Sequence, residues 1–135
     1  MVDIKRGTSA TYVQTVTDSD IVQFAQSTGD NNPVHLDEDY AKTTPFGKRI
    51  AHGMLSAGFI STALGTKLPG PGTIYLRQIV EFRRPVFIND TITATVTVTR
   101  LNRKTKRVWL TTVCTNQNGK VVVLGKALVL FNALS

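Results

Sequence analysis

Gly53-Met54-Leu55-Ser56-Ala57-Gly58-Phe59-Ile60-Ser61-Thr62-Ala63-Leu64-Gly65-Thr66-Lys67-Leu68 decides the fold. Wound as a helix, this run places Met54, Leu55, Ala57, Phe59, Ile60, Ala63 and Leu64 around nearly every side. A helix that is apolar all round is enclosed by other elements. Gly58, Gly65 and Ala57 let a sheet or a ligand come close to it. Pro69-Gly70-Pro71-Gly72 then ends it, because Pro and Gly together break any regular element.

Four strands follow the helix. Thr73 to Pro85 carries Ile74, Leu76, Val80 and Phe82, with a polar intrusion at Gln78. Thr91 to Thr99 alternates without a break, so one face is buried and the other wet. Val108 to Thr115 is β-branched and includes Trp109, and Val121 to Phe131 is apolar on both faces, as in a central strand. Asn116-Gln117-Asn118-Gly119 is a hairpin signal. Upstream, residues 1–10 read as a loosely ordered lead-in, and Thr11 to Thr17 as a first strand. Asp18-Ser19-Asp20 supplies cap chemistry for a short helix with Ile21, Phe24 and Ala25 on one face, and Gly29 stops it. Leu36 to Ala41 adds a helical turn or two. Thr43 to Arg49 is a mobile loop. The order predicts one α+β domain over residues 1–135, an antiparallel sheet wrapped around a long central helix. One helix cannot cover such a sheet completely, and the apolar area left over predicts a homodimer.

Of the 135 residues, 41% are hydrophobic and 19% charged, ordinary for a globular protein. No apolar run approaches the ~18 to 20 residues of a membrane span, which argues against a membrane partner. The first six residues lack the apolar core of a signal peptide, and the single Cys114 excludes an internal disulfide framework. A cytoplasmic location is expected, with Cys114 buried on its strand. Sixteen Lys and Arg against nine Asp and Glu leave a charge of +7, which attracts anions of several kinds. No aromatic residues interleave with the basic run Arg100 to Arg107, so no nucleic-acid partner is expected.

Two short runs carry the chemistry. In Thr28-Gly29-Asp30-Asn31-Asn32-Pro33-Val34-His35-Leu36 a carboxylate and an imidazole flank Asn-Asn-Pro. Asn and Pro favour turns, and the residue before Pro avoids the α region, so Asp30 and His35 sit on a bend that aims both at one point. In Ile50-Ala51-His52-Gly53-Met54-Leu55 the amide of Gly53 opens the buried helix, where backbone N–H groups lack partners. An acid–base pair beside a preformed donor suits addition or removal of water next to a carbonyl. His52 is expected to shape the helix entry through a structural hydrogen bond. Two His and no Cys cluster give no metal-ligand spacing, so metal-free chemistry is expected.

These two runs, with Leu68-Pro69-Gly70, the Tyr75 strand and Phe82-Arg83-Arg84-Pro85-Val86, resemble the MaoC-like, R-specific enoyl-CoA hydratase family over roughly residues 10–131. The resemblance implies a hot-dog fold, a dimer, and reversible hydration of trans-2-enoyl-CoA to (R)-3-hydroxyacyl-CoA, a step of fatty acid metabolism. It implies that Asp30 and His35 activate the water and handle the α-proton, and that the Gly53 N–H binds the thioester oxygen. Ser61 matches a family position near the active site. No cofactor is implied, since coenzyme A is part of the acyl-CoA substrate, and Arg83 and Arg84 are the preferred partners of its phosphates. An acyl-CoA thioesterase is the competing enzyme, disfavoured because no carboxylate lies between Tyr40 and Val80. A non-catalytic acyl-thioester-binding domain is the other alternative.

Overall fold

A computed structural model of the chain describes residues 3–135. The elements run β1 (Ser9–Thr15), α1 (Asp18–Thr28), α2 (Pro33–Leu36), α3 (Glu38–Lys42), α4 (Gly53–Thr66), β2 (Ile74–Phe82), β3 (Thr91–Asn102), β4 (Arg107–Thr115) and β5 (Val121–Leu130). The strands form one antiparallel sheet in the order β1-β3-β4-β5-β2, with α4 packed chiefly against β3 and β1. This is the α+β hot-dog architecture expected of the sequence.

The alternation of β3 has the predicted result. Ile92, Ala94, Val96 and Val98 all turn inward and meet Ile60, Ala63 and Leu64 of α4 in one core. Each such aliphatic side chain contributes roughly 1.5–3 kcal/mol when fully buried. β5 lies between β4 and β2, and its consecutive Val122 and Val123 are both buried.

The start of α1 differs in detail from its sequence reading. Thr17, not the Asp18 to Asp20 run, is the N-cap. Its side chain accepts from the Asp20 amide at 3.1 Å, and the Asp20 carboxylate accepts from the Thr17 amide at 3.0 Å. This reciprocal pair satisfies two otherwise free amides and leaves Asp18 and Asp20 in the first turn, where the helix dipole favours them. Gly29 closes the helix at φ 79°, a left-handed conformation that glycine adopts without strain. The chain is thereby turned towards Asp30.

Three further expectations are corrected. The lead-in is tied down over its described part. Ile4 is buried in the core, the Gly7 amide donates to the Val98 carbonyl at 2.8 Å, and Val98 donates back to the Thr8 carbonyl at 2.8 Å. Residues 1 and 2 lie outside the described residues. The end of the 43–49 loop is fastened by Arg49, whose Nη2 donates to Asp18 at 2.6 Å and whose Nε donates to the His35 carbonyl at 2.7 Å. Finally, α4 is not enclosed on every side. A stripe of Met54, Gly58 and Ser61 is exposed, Met54 at 58%, because the sheet covers α4 chiefly from the β1 and β3 side.

β2 also explains its own polar intrusion. Gln78 Nε2 donates to Thr112 Oγ1 of β4 at 2.9 Å, and Tyr75 donates to Gln78 Oε1. To reach Thr112 the side chain passes over β5 at Gly125, where a Cβ would lie 1.9 Å from the Ile79 carbonyl oxygen and 3.0 Å from Gln78 Nε2. Only glycine admits that close approach.

Candidate active site

The segment joining α1 to α2 is built from side chains that bond their own backbone. Asp30 Oδ1 accepts from the Asn32 amide at 3.3 Å, and Asn32 Oδ1 caps α2 by accepting from the Val34 amide at 3.3 Å. Pro33 occupies the first helical position, where its missing N–H costs nothing. His35 therefore projects from a single turn of helix rather than from the bend itself. Asp30 stays exposed, while His35 is only 8% exposed.

The His35 ring is held at one nitrogen. Nδ1 lies 2.8 Å from the Ile50 carbonyl oxygen. A carbonyl can only accept, so Nδ1 carries the hydrogen and Nε2 is left with its lone pair. Burial pulls the His35 pKa below its ordinary value and outweighs the opposing bond to Ile50. The neighbouring His52 lowers it further, and the Asp30 carboxylate raises it. The resting imidazole is thus neutral near pH 7, the form able to take a proton.

Asp30, His35 and His52 converge: one side-chain oxygen or nitrogen from each lies within 4.8 Å of the others. Such a group merits a test as a metal site. The two imidazole rings are stacked, centroids 3.9 Å apart and planes 32° from parallel, and each has one nitrogen committed to a backbone carbonyl. Each ring thus has a single nitrogen left to offer, and the three groups fall short of the four protein ligands of a closed zinc site.

His35 opens on a cavity of about 450 Å³ that also reaches Gly53, Ser56, Phe82, Arg83 and Arg84. Gly53 is the first residue of α4, so its amide has no acceptor within the helix. A Cβ there would lie 2.7 Å from Cδ1 of Phe82, so a side chain at this position requires the Phe82 ring to move. Arg83 is drawn to Glu81 at 2.8 Å, an ion pair that also holds the Glu81 carboxyl below its usual range. Arg84 instead donates from Nη1 to the Val121 carbonyl at 2.8 Å, so its charge faces no carboxylate among the described residues.

Ser61 is not brought to this cavity. Eight residues along α4 from Gly53, it is displaced by ~12 Å of helix rise and turned onto the exposed stripe. There it lines a second groove with Met54, Gly58, Tyr75 and Gln78. The serine that does reach the cavity is Ser56, fully buried and with no hydrogen-bond partner for its Oγ among the described residues. Sequence reading passed over it. Its one signal is a small polar residue within the first turn of an apolar helix. Cys114 is buried as expected, and burial pushes its thiol up to about 12.

A five-stranded antiparallel sheet thus holds one long helix, and Asp30 and His35 come together beside His52 at the start of that helix. The chain belongs to the family described as MaoC like domain, whose model matches residues 2–119. Among its relatives is the (R)-specific enoyl-CoA hydratase of Rhodospirillum rubrum, 56% identical over 97% of this chain and 90% of that protein. The 3-hydroxybutyryl-CoA dehydratase of Methylorubrum extorquens is 45% identical over 94% of this chain and 80% of that protein. Among solved structures, the (R)-hydratase from Aeromonas caviae involved in PHA biosynthesis superposes with a TM-score of 0.91 at 40% identity, covering 95% of this chain and 97% of that one.

Proposed function

We propose that the chain is an (R)-specific enoyl-CoA hydratase, a hydro-lyase that adds water to trans-2-enoyl-CoA and reverses the step. The observation that carries this reading is the free Nε2 of His35 beside the Asp30 carboxylate, with His35 opening on a cavity that Gly53 also lines. Water held between Asp30 and His35 gives a proton to Nε2 as its oxygen bonds to C3 of the substrate. The electron pair of the double bond moves onto the thioester oxygen, where the Gly53 N–H donates. The acid–base pair returns a proton to C2, so the water is added whole and no redox partner is needed. Acid–base assistance of this kind contributes about 10²- to 10⁴-fold, and a single oxyanion donor about 10²- to 10³-fold.

Several further assignments belong to the same proposal. Arg84 is the better phosphate partner for coenzyme A, because Arg83 is partly neutralised by Glu81. The carrier arrives on the substrate, so the reaction calls for no separate cofactor. The chain works as a single domain and as a homodimer, a second copy covering the exposed Ile74, Leu76, Ile79 and Phe82 of the β2 edge. Arg103 and Lys106 donate to the Ser135 and Leu134 carbonyls and Arg100 stacks on Trp109, so these side chains are engaged in the local fold, in keeping with the absence of a nucleic-acid partner that we favour. No helix among the described residues is long and apolar enough to cross a membrane, in keeping with the cytoplasmic location we favour.

Crotonyl-CoA tests the assignment directly. Loss of the enoyl absorbance without release of free thiol is the expected result, with the R enantiomer as product. Thiol release from an unhydrated substrate would make the protein a thioesterase instead. Asp30→Asn and His35→Gln should each lower turnover by about 10²- to 10⁴-fold while the thermal midpoint stays put. A binding domain has no turnover to lose.

A further inference from the structure

The mechanism above uses the imidazole of His35 and leaves that of His52 without a part. His52 starts α4 with extended backbone, φ −61° and ψ 134°, yet makes no side-chain bond to the helix it begins. Its ring turns inward and is 2% exposed. Three contacts hold it. Nε2 lies 3.0 Å from the backbone carbonyl oxygen of Asp30, an acceptor, so Nε2 carries the hydrogen. The ring face lies on His35 at 3.9 Å between centroids, and the Phe24 ring meets it edge-on at 4.7 Å. Nδ1 is buried and has no partner among the described residues.

We propose that His52 is a positioning residue for the acid–base pair, fixing the Asp30 backbone through its edge and the His35 ring through its face. This rests on the hydratase reading of Asp30 and His35. Asp30 belongs to an exposed connection whose other bonds are local, to Thr28 and Asn32. The His52 donor ties that connection, across 22 residues of sequence, to the end of α4 where Gly53 lies. One side chain thereby sets the distance between the acid, the base and the oxyanion amide. A displacement of about 1 Å among such groups can cost ~10²-fold in rate.

The ring face has a second effect. The groups around His35 are the Asp30 carboxylate, the His52 imidazole and the Ile50 carbonyl, with Arg49 on its own carbonyl and Arg83 and Arg84 across the cavity. Asp30 and Ile50 favour a positive charge on His35, whereas burial and His52 oppose it. Replacing His52 by Phe removes its share of that opposition, and the titration of His35 should move to higher pH.

Three variants separate the two contacts. His52→Ala removes both, His52→Gln keeps a donor for the Asp30 carbonyl, and His52→Phe keeps a ring face against His35. With crotonyl-CoA, His52→Ala should lose about 10²-fold in kcat with KM within about twofold, and each of the other two should recover part of that loss. In His52→Phe the acid limb of kcat/KM should move to higher pH, and the imidazole ¹⁵N shifts of His35, recorded without substrate, should titrate higher as well. Should His52→Ala fail to fold, the Gln and Phe variants carry the comparison. Wild-type turnover in a folded His52→Ala overturns the proposal, and so does a loss equal at every pH with the His35 shifts unmoved. Wild-type protein inactive on every enoyl-CoA sinks the hydratase reading alone, while the His35 titration in His52→Phe still decides the positioning.

Discussion

β3 and β2 are strands of one sheet with similar stocks of apolar residues, yet they have opposite fates. β3 buries Ile92, Ala94, Val96 and Val98 almost completely, whereas β2 leaves Ile74, Leu76 and Phe82 largely exposed and Ile79 at 57%. Neighbours make the difference. β3 lies between β1 and β4 beneath α4, while β2 pairs with β5 alone. Apolar content therefore measures how much cover a strand needs, and topology decides whether its own chain supplies it.

The comparison can be broken most severely with a charge. Val96→Asp places a carboxylate with no partner in the β3 core, a cost of several kcal/mol, and soluble folded protein should be lost. Ile79→Asp should leave a folded protomer and yield monomers in sedimentation. Persistent dimers would show that β2 is not the edge covered by the second copy. Gly125→Ala attacks the attachment of β2 to β5 rather than its outer edge. The added Cβ meets the Ile79 carbonyl, and such overpacking costs about 1–3 kcal/mol, read as a lower urea midpoint.

The smallest effect sharpens the contrast through pH. His35 has a lowered pKa in the folded state, so between that value and the ~6.5 of an unfolded His the unfolded chain binds more protons. Stability is therefore whole above about pH 6.5 and declines as pH falls through that window. Urea midpoints at pH 5.5 and 7.5 should differ less in His35→Gln than in the wild type, whereas Ile79→Asp should leave the contribution of His35 intact.

The same contrast explains what could be read from the sequence. The apolar run of α4 and the strict alternation of β3 report their surroundings locally, so the architecture was legible. That Asp30 and His35 come together was legible because Asn-Asn-Pro dictates a turn between them, although the single helical turn that carries His35 was not. The exposed stripe on α4 was not legible, because Met54, Gly58 and Ser61 owe their exposure to the side from which the sheet covers the helix, which no helical period records. Ser61 lines the neighbouring groove and not the cavity of His35 for a related reason, its rotation about the helix axis relative to Gly53. His52 read as a helix-entry residue since its bond to the Asp30 carbonyl and its stacking on His35 depend on two distant turns meeting. Thr17 displaced the acidic run as cap because the reciprocal bond with Asp20 satisfies more amides than either acid could alone.

The contact between Phe82 and Gly53 links two properties usually treated apart. The ring that closes over the head of α4 belongs to the strand through which we propose that a second copy pairs. If the proposed homodimer pairs through β2, a disturbance there by dilution reaches the Gly53 amide through one aromatic wall. Specific activity should then vary with protein concentration, and association would act as a regulator of the chemistry as well as a means of shielding greasy surface.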